Sequence, residues 1–305
     1  MNKLVLGTVQ FGLNYGINNE AGKTSRIESL SILKEAVDSG MTIFDTAAAY
    51  GDAEEVLGEF ISSYKLKNKV KIISKLSPNI FDSNSQKPEY VVKEEVKKSL
   101  KRLQIDILDG FLLHTPTYFY NRDILNSLKQ CREEGLIKHF GVSIYEEEHA
   151  LDAVNSGLID YIQVPYNVFD QRLNQTDFFK NAKKNNVKVF ARSPFLQGLI
   201  LMEDDHIPPY LSKIKKYLRE FDEIINRHKF SRLEAALLFP YVNSDIDYVV
   251  FGINNIDQLR EGIEIITEEK IKSFAECKKE LKNKFINIEK SIISPVLWGK
   301  GVNSF

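Results

Sequence analysis

Eight times along this chain, a short apolar or β-branched run gives way to a longer stretch with helical spacing. The runs are KLVLGT (3–8), TIFDT (42–46), VKIISKL (70–76), LDGFLLH (108–114), IKHFGVS (137–143), DYIQVP (160–165), VKVFARS (187–193) and DYVVFG (247–252). Most read as apolar on both faces, which suits a parallel sheet covered by helices. Between them, Val56, Leu57, Phe60 and Ile61 share one face over 53–64. Val92, Val96, Leu100 and Leu103 share one over 91–103, with Lys and Glu opposite. Gly40 stands where a helix C-cap belongs, and Pro88 where a first turn begins.

Eight strand-then-helix units match a (β/α)8 TIM barrel, an α/β fold of about 250 residues, as a single domain over residues 1–305. A doubly wound open sheet is the competitor, but LGTVQFG lacks the Gly-x-Gly-x-x-Gly turn of its first strand. After the eighth unit come a Lys/Glu-rich helix over roughly 268–290 and the tail SIISPVLWGKGVNSF, expected near the barrel mouth.

Composition narrows the partners. The 41 Lys and Arg nearly cancel the 42 Asp and Glu, which leaves no electrostatic footprint for nucleic acid or an anionic membrane. No apolar run approaches the roughly 18 residues of a membrane span, and the N-terminus carries no signal-peptide pattern. Cys131 and Cys277 lie far apart without metal-ligand spacing and read as free thiols. The expectation is a cytoplasmic protein, monomeric or weakly self-associating, that takes a small molecule and no metal.

Barrel active sites lie at the C-terminal ends of the strands. Those ends carry Asp45, Lys75, His114, Ser143, Gln163, Arg192, Ser193 and Gly252. Singly, Asp45 reads as a turn cap, Lys75 as a solvated strand end, His114 as a core histidine and Tyr50 as a lid. Together on adjacent strands they converge on one pocket. A tyrosine hydroxyl has a reference pKa near 10 and donates a proton well only if its anion is stabilised. A buried lysine does that, an aspartate holds the lysine charged, and a histidine can orient a carbonyl oxygen. No nucleophile is supplied, and a hydride from a nicotinamide cofactor fits that gap. A lyase using Lys75 as a Schiff-base amine is the other chemistry open to these residues.

The chain resembles the aldo-keto reductases over residues 3–267. Asp45, Thr46, Ala47, Tyr50, Gly51, Glu54, Leu57 and Gly58 match that family's first motif, and Lys75 in IISKL and His114 in LLHTP complete its tetrad. LGTVQFGLNYGI is similar to a bacterial subgroup, some of whose members are associated with surface-sugar biosynthesis. The resemblance implies reduction of an aldehyde or ketone, sugar-derived carbonyls among them. Tyr50 would be the general acid, with Lys75 lowering its pKa, Asp45 pairing with Lys75 and His114 orienting the carbonyl. It implies that Gly7, Thr8, Ser143, Gln163 and Arg192 meet the nicotinamide end of the cofactor. Ser193, Phe195 and Gly198 would follow the pyrophosphate, and Gly252, Asn254, Asn255, Gln258 and Glu261 would surround the adenosine.

Four departures stand out. Ile144 replaces a common Asn, and Arg192 replaces an aromatic that stacks on the nicotinamide. GINNIDQ lacks the Lys or Arg that usually meets a 2′-phosphate, so NADPH is favoured over NADH by family alone. Strand 1 begins almost at Met1, so the hairpin that caps the barrel floor is expected to be missing. Tyr15, Tyr118, Phe119 and Trp298 are the expected substrate walls. The alternative function is a reductase-like regulatory protein that keeps cofactor with little turnover.

Overall fold

The computed structural model describes residues 3–82 and 86–298. Its strands are β1 (Leu4–Gly7), β2 (Ile43–Asp45), β3 (Lys71–Leu76), β4 (Leu108–Leu113), β5 (Ile137–Ser143), β6 (Tyr161–Pro165), β7 (Lys188–Arg192) and β8 (Tyr248–Gly252). All pair in parallel and in chain order, and β1 closes the ring by pairing with β8 as well as β2. The (β/α)8 barrel is therefore the fold.

The first helices are α1 (Val9–Gly12), α2 (Arg26–Asp38), α3 (Ala53–Ser63), α4 (Pro88–Leu103), α5 (Arg122–Glu133) and α6 (Glu147–Asn155). The later ones are α7 (Phe178–Lys184), α8 (Ile214–Arg227), α9 (Arg232–Tyr241), α10 (Ile256–Glu264), α11 (Glu268–Lys284) and α12 (Lys290–Ile293). Two boundaries differ from the sequence reading. The helix placed over 268–290 stops at Lys284, and the chain between β7 and β8 forms two helices, α8 and α9.

Local chemistry sets several ends. Ser25 accepts the backbone N–H of Glu28 at the start of α2. At its end Gly40, at φ 80°, lets the Gly40 and Met41 N–H groups return to the Val37 and Ala36 carbonyls. Pro88 occupies the first turn of α4. A reciprocal Ser231–Glu234 capping box starts α9, and so fixes Arg232 as its first residue.

The core has two shells. Val56, Leu57, Phe60, Ile61, Val92, Val96, Leu100 and Leu103 are all buried between helices and sheet. Inside the ring, Val5, Ile73, Leu112, Phe190 and Val250 form a separate cluster against Ile43, Tyr161 and Tyr248. Burying each large apolar side chain contributes roughly 1.5–3 kcal/mol. Cys131 and Cys277 are buried free thiols, pushed up by burial to about 11 and about 12. No helix among the described residues is long and apolar enough to cross a membrane.

Candidate active site

Side chains alternate along a strand, so a residue two places beyond an interior one faces the interior again, one layer nearer the mouth. Ile43, Ile73, Leu112, Tyr161, Phe190 and Val250 belong to the interior cluster. Two residues on stand Asp45, Lys75, His114, Gln163, Arg192 and Gly252. One pleat register thus delivers the polar strand ends to a single cleft of about 680 Å³.

Lys75 is fully buried beneath that cleft. Its Nζ donates to Asp45 Oδ1 at 2.6 Å and to the Thr46 carbonyl at 2.8 Å, and lies 3.5 Å from the Tyr50 hydroxyl. Asp45 Oδ2 accepts from Gln163 Nε2 at 2.7 Å, and Gln163 Oε1 accepts from the Ser143 hydroxyl at 3.5 Å. Residues assigned separately to proton chemistry and to cofactor therefore form one chain of contacts. The Tyr50 and His114 rings meet edge to face at 5.9 Å.

Tyr50 is held by backbone. Its N–H donates to Ala47, and Ala48 donates to the Lys75 carbonyl, so the small residues fold the loop back over β3. Gly12 and Gly51 let the β1 loop press against it. A Cβ on Gly12 would overlap the Tyr50 carbonyl oxygen, and Gly51 sits at φ 54° against Gly12.

Electrostatics follow from depth. Burial first, then Asp45 and Tyr145, raises Tyr50 well above its usual value, and Arg192 opposes this. Burial lowers Lys75, against the pull of Asp45. Burial, then Lys75 and Arg192, holds His114 well below 6.5. The imidazole is neutral near pH 7 and the phenol keeps its proton. Tyr15 also lines the cleft and is raised by burial.

Arg192 lies 4.6 Å from the centre of the Tyr145 ring, and its Nη2 donates to the Ile144 carbonyl at 3.1 Å. Tyr145 went unnoticed in the sequence, although it stands two residues beyond Ser143. Ile144 itself is buried away from the cleft and contributes only that carbonyl.

Beyond Arg192 the backbone is strained. Ser193, Leu196 and Gln197 take φ values of 60°, 49° and 56°, and Gly198 takes 94°. Each such non-glycine residue costs on the order of 1–3 kcal/mol, and turns of this kind aim backbone N–H groups into anion-binding concavities. Gly7, Thr8, Ser193, Phe195, Gly198, Gly252, Asn254, Gln258 and Glu261 all line the cleft.

Apart from Lys75, which lies beneath the cleft, four assigned residues do not. Asn255 spends its side chain capping α10 through the Gln258 N–H. Tyr118 turns away after β4, meets the Phe81 ring edge to face at 5.1 Å and accepts the Phe81 N–H, while Phe119 is buried in the outer core. Trp298 is buried, with its indole N–H on the Ile292 carbonyl, and Pro295 and Val296 of the tail reach the cleft instead. Glu203, Asp222, Ser231 and Arg232, from the β7–β8 excursion, complete the wall. Among the described residues, no group of three or more His, Cys, Asp or Glu could hold a metal ion.

The sequence model of the Aldo/keto reductase family matches residues 3–280. A Bacillus subtilis protein named as the uncharacterized oxidoreductase YqkF is 28% identical over 296 residues, covering 90% of this chain and 95% of its own. The NADH-specific methylglyoxal reductase of Escherichia coli is 23% identical, with 86% and 93% covered. The holo form of the aldo-keto reductase AKR11C1 from Bacillus halodurans superposes with a TM-score of 0.72 over 95% of each chain, at 19% identity. With its barrel, its cleft and a family match across most of its length, the chain belongs to the aldo/keto reductase family and is an oxidoreductase.

Proposed function

We propose that this protein reduces an aldehyde or ketone to an alcohol at the cleft, with Tyr50 as proton donor. The observation that carries the reading is the buried Lys75–Asp45 pair lying within 3.5 Å of the Tyr50 hydroxyl, beside a neutral His114.

The cleft suits a nicotinamide dinucleotide. The strained loop from Ser193 to Gly198 offers an anion cradle. Among the described residues, Arg192 Nε, Gln10 Oε1 and Asn254 Oδ1 are buried atoms of cleft-lining residues without a hydrogen-bond partner. Ser143 and Gln163 would hold the carboxamide, the 193–198 loop the pyrophosphate, and Asn254, Gln258 and Glu261 the adenosine. When bound, a reduced nicotinamide supplies hydride to the carbonyl carbon.

The chain's own residues do the rest. Neutral His114 orients the carbonyl oxygen by a hydrogen bond. Tyr50 donates its proton to that oxygen, and the ammonium of Lys75 stabilises the phenolate left behind. Asp45 keeps Lys75 charged in a site where burial works against the charge. Lys75 is enclosed and committed to three oxygens, which disfavours a Schiff base there.

The relative named for methylglyoxal makes small reactive aldehydes the first substrates to assay. Tyr50→Phe should lower single-turnover oxidation of the bound nucleotide by about 10²–10⁴-fold while nucleotide affinity is kept. Wild-type rates in that variant would remove Tyr50 from the mechanism. A wild-type protein that binds nucleotide but oxidises it with no aldehyde would instead be a binding protein.

A further inference from the structure

The cleft is charged unevenly. Among the described residues lining it, Arg192 and Arg232 are the only cations. Arg192 belongs to the tetrad end, where it acts on Tyr50 and His114. Arg232 stands at the other end, where the β7–β8 excursion meets α10, and its guanidinium is already committed. Its Nε and Nη2 bond the two carboxylate oxygens of Asp222 at 2.7 and 2.6 Å, and Nη1 donates to the Met202 carbonyl at 2.5 Å. The same wall carries Glu203 and Glu261, and among the described residues no cation forms an ion pair with either. Three carboxylates against one guanidinium leave this end with two negative charges. The nearest cation along α10, Arg260, is drawn off to Glu35 on α2 at 3.0 Å.

We propose that this end of the cleft selects NADH and rejects NADPH, with Glu203 and Glu261 as the specificity-determining residues. The inference rests on the reading of the cleft as a nicotinamide dinucleotide site, and it runs against the NADPH expected from family resemblance. A 2′-phosphate brings nearly two more negative charges and needs a guanidinium or ammonium to meet it. Arg232 already spends three of its five N–H groups on Asp222 and Met202, and Asp222 neutralises its charge. A free ribose diol makes the opposite demand, since its hydroxyls donate and carboxylates only accept. Carboxylates that outnumber the one guanidinium on this wall accept from a hydroxyl and repel a phosphate.

Calorimetric titration of the full-length protein with NADH and NADPH, and with 5′-AMP and 2′,5′-ADP, tests this without relying on turnover. NADH should bind at least about tenfold more tightly than NADPH, and 5′-AMP more tightly than 2′,5′-ADP. Glu203→Lys and Glu261→Gln should each narrow the gap, with the charge reversal doing more. NADPH binding as tightly as NADH would overturn the inference while leaving the reductase reading intact. A gap that neither substitution narrows would overturn the assignment to these glutamates. Binding of neither dinucleotide would overturn the reductase reading, and this inference with it.

Discussion

Ile73 and Lys75 stand two residues apart on β3 and face the same barrel interior, yet they belong to different regimes. The lower layer, with Ile73, Leu112, Phe190 and the Tyr161 and Tyr248 rings, is packed and apolar. Phe190 lies 5.2 Å from Tyr161 and 4.5 Å from Tyr248, centre to centre. The upper layer holds Asp45, Lys75, His114 and Gln163, nearly as buried but polar. Desolvation stabilises the lower layer. In the upper layer it penalises every charge, and hydrogen bonds must compensate. The same strands thus build a stabilising floor and a reactive rim, and one residue of register slip would exchange their faces.

Substitution in each layer tests that division. Lys75→Met should have the largest effect, because it leaves the Asp45 carboxylate buried without its cation. Loss of about 3–5 kcal/mol in denaturant unfolding is expected, together with loss of carbonyl reduction. Phe190→Ala should cost a similar 3–5 kcal/mol, yet leave kcat per folded molecule within a few-fold of wild type. If Phe190→Ala abolished turnover in fully folded protein, the floor would not be a purely structural layer.

Gly12→Ala sharpens the comparison from the rim side. The added methyl overlaps the Tyr50 carbonyl oxygen, so the loop bearing the proton donor must move. Displacement of about 1 Å costs a reacting group on the order of 100-fold in rate. The expectation is a kcat per folded molecule lowered by about that factor, with a stability loss of about 1–3 kcal/mol because the clash is with backbone, and nucleotide affinity retained. Unchanged kcat would mean that the close approach of Gly12 does not position Tyr50.

The rim residues were legible because they end strands whose apolar runs are unmistakable, and alternation then places them. Asp45, Lys75, His114, Gln163 and Arg192 all follow from that rule. The far wall was not legible. Arg232, Asp222 and Glu203 come from an excursion within one strand-to-strand connection, and only packing of α9 against α8 and α10 brings them to the cleft. The Ser231–Glu234 spacing was a readable sign of where α9 starts, though not of what it faces. Tyr118, Phe119 and Trp298 show the converse error. Aromatic residues near the mouth resemble substrate walls in sequence, but apolar burial elsewhere claimed Phe119 and Trp298, and packing against Phe81 claimed Tyr118.

His114 gives the smallest expected effect, and one that reads the rim layer alone. Its folded-state pKa is depressed below 6.5 by burial, with Lys75 and Arg192 adding to the shift. As pH falls through about 6.5, the unfolded chain takes up a proton at this position and the folded chain does not. Stability then falls by about 1.4 kcal/mol per pH unit until the depressed value is reached. Above 6.5 the contribution is fully present and flat. Denaturant midpoints measured between pH 7 and pH 5 should therefore fall more steeply for the wild type than for His114→Gln, and the difference isolates this residue from the carboxylates. Parallel slopes would mean that the folded protein protonates His114 as readily as the unfolded chain does. The rim would then be wet and weakly coupled, and burial would not be what keeps this imidazole neutral beside Tyr50.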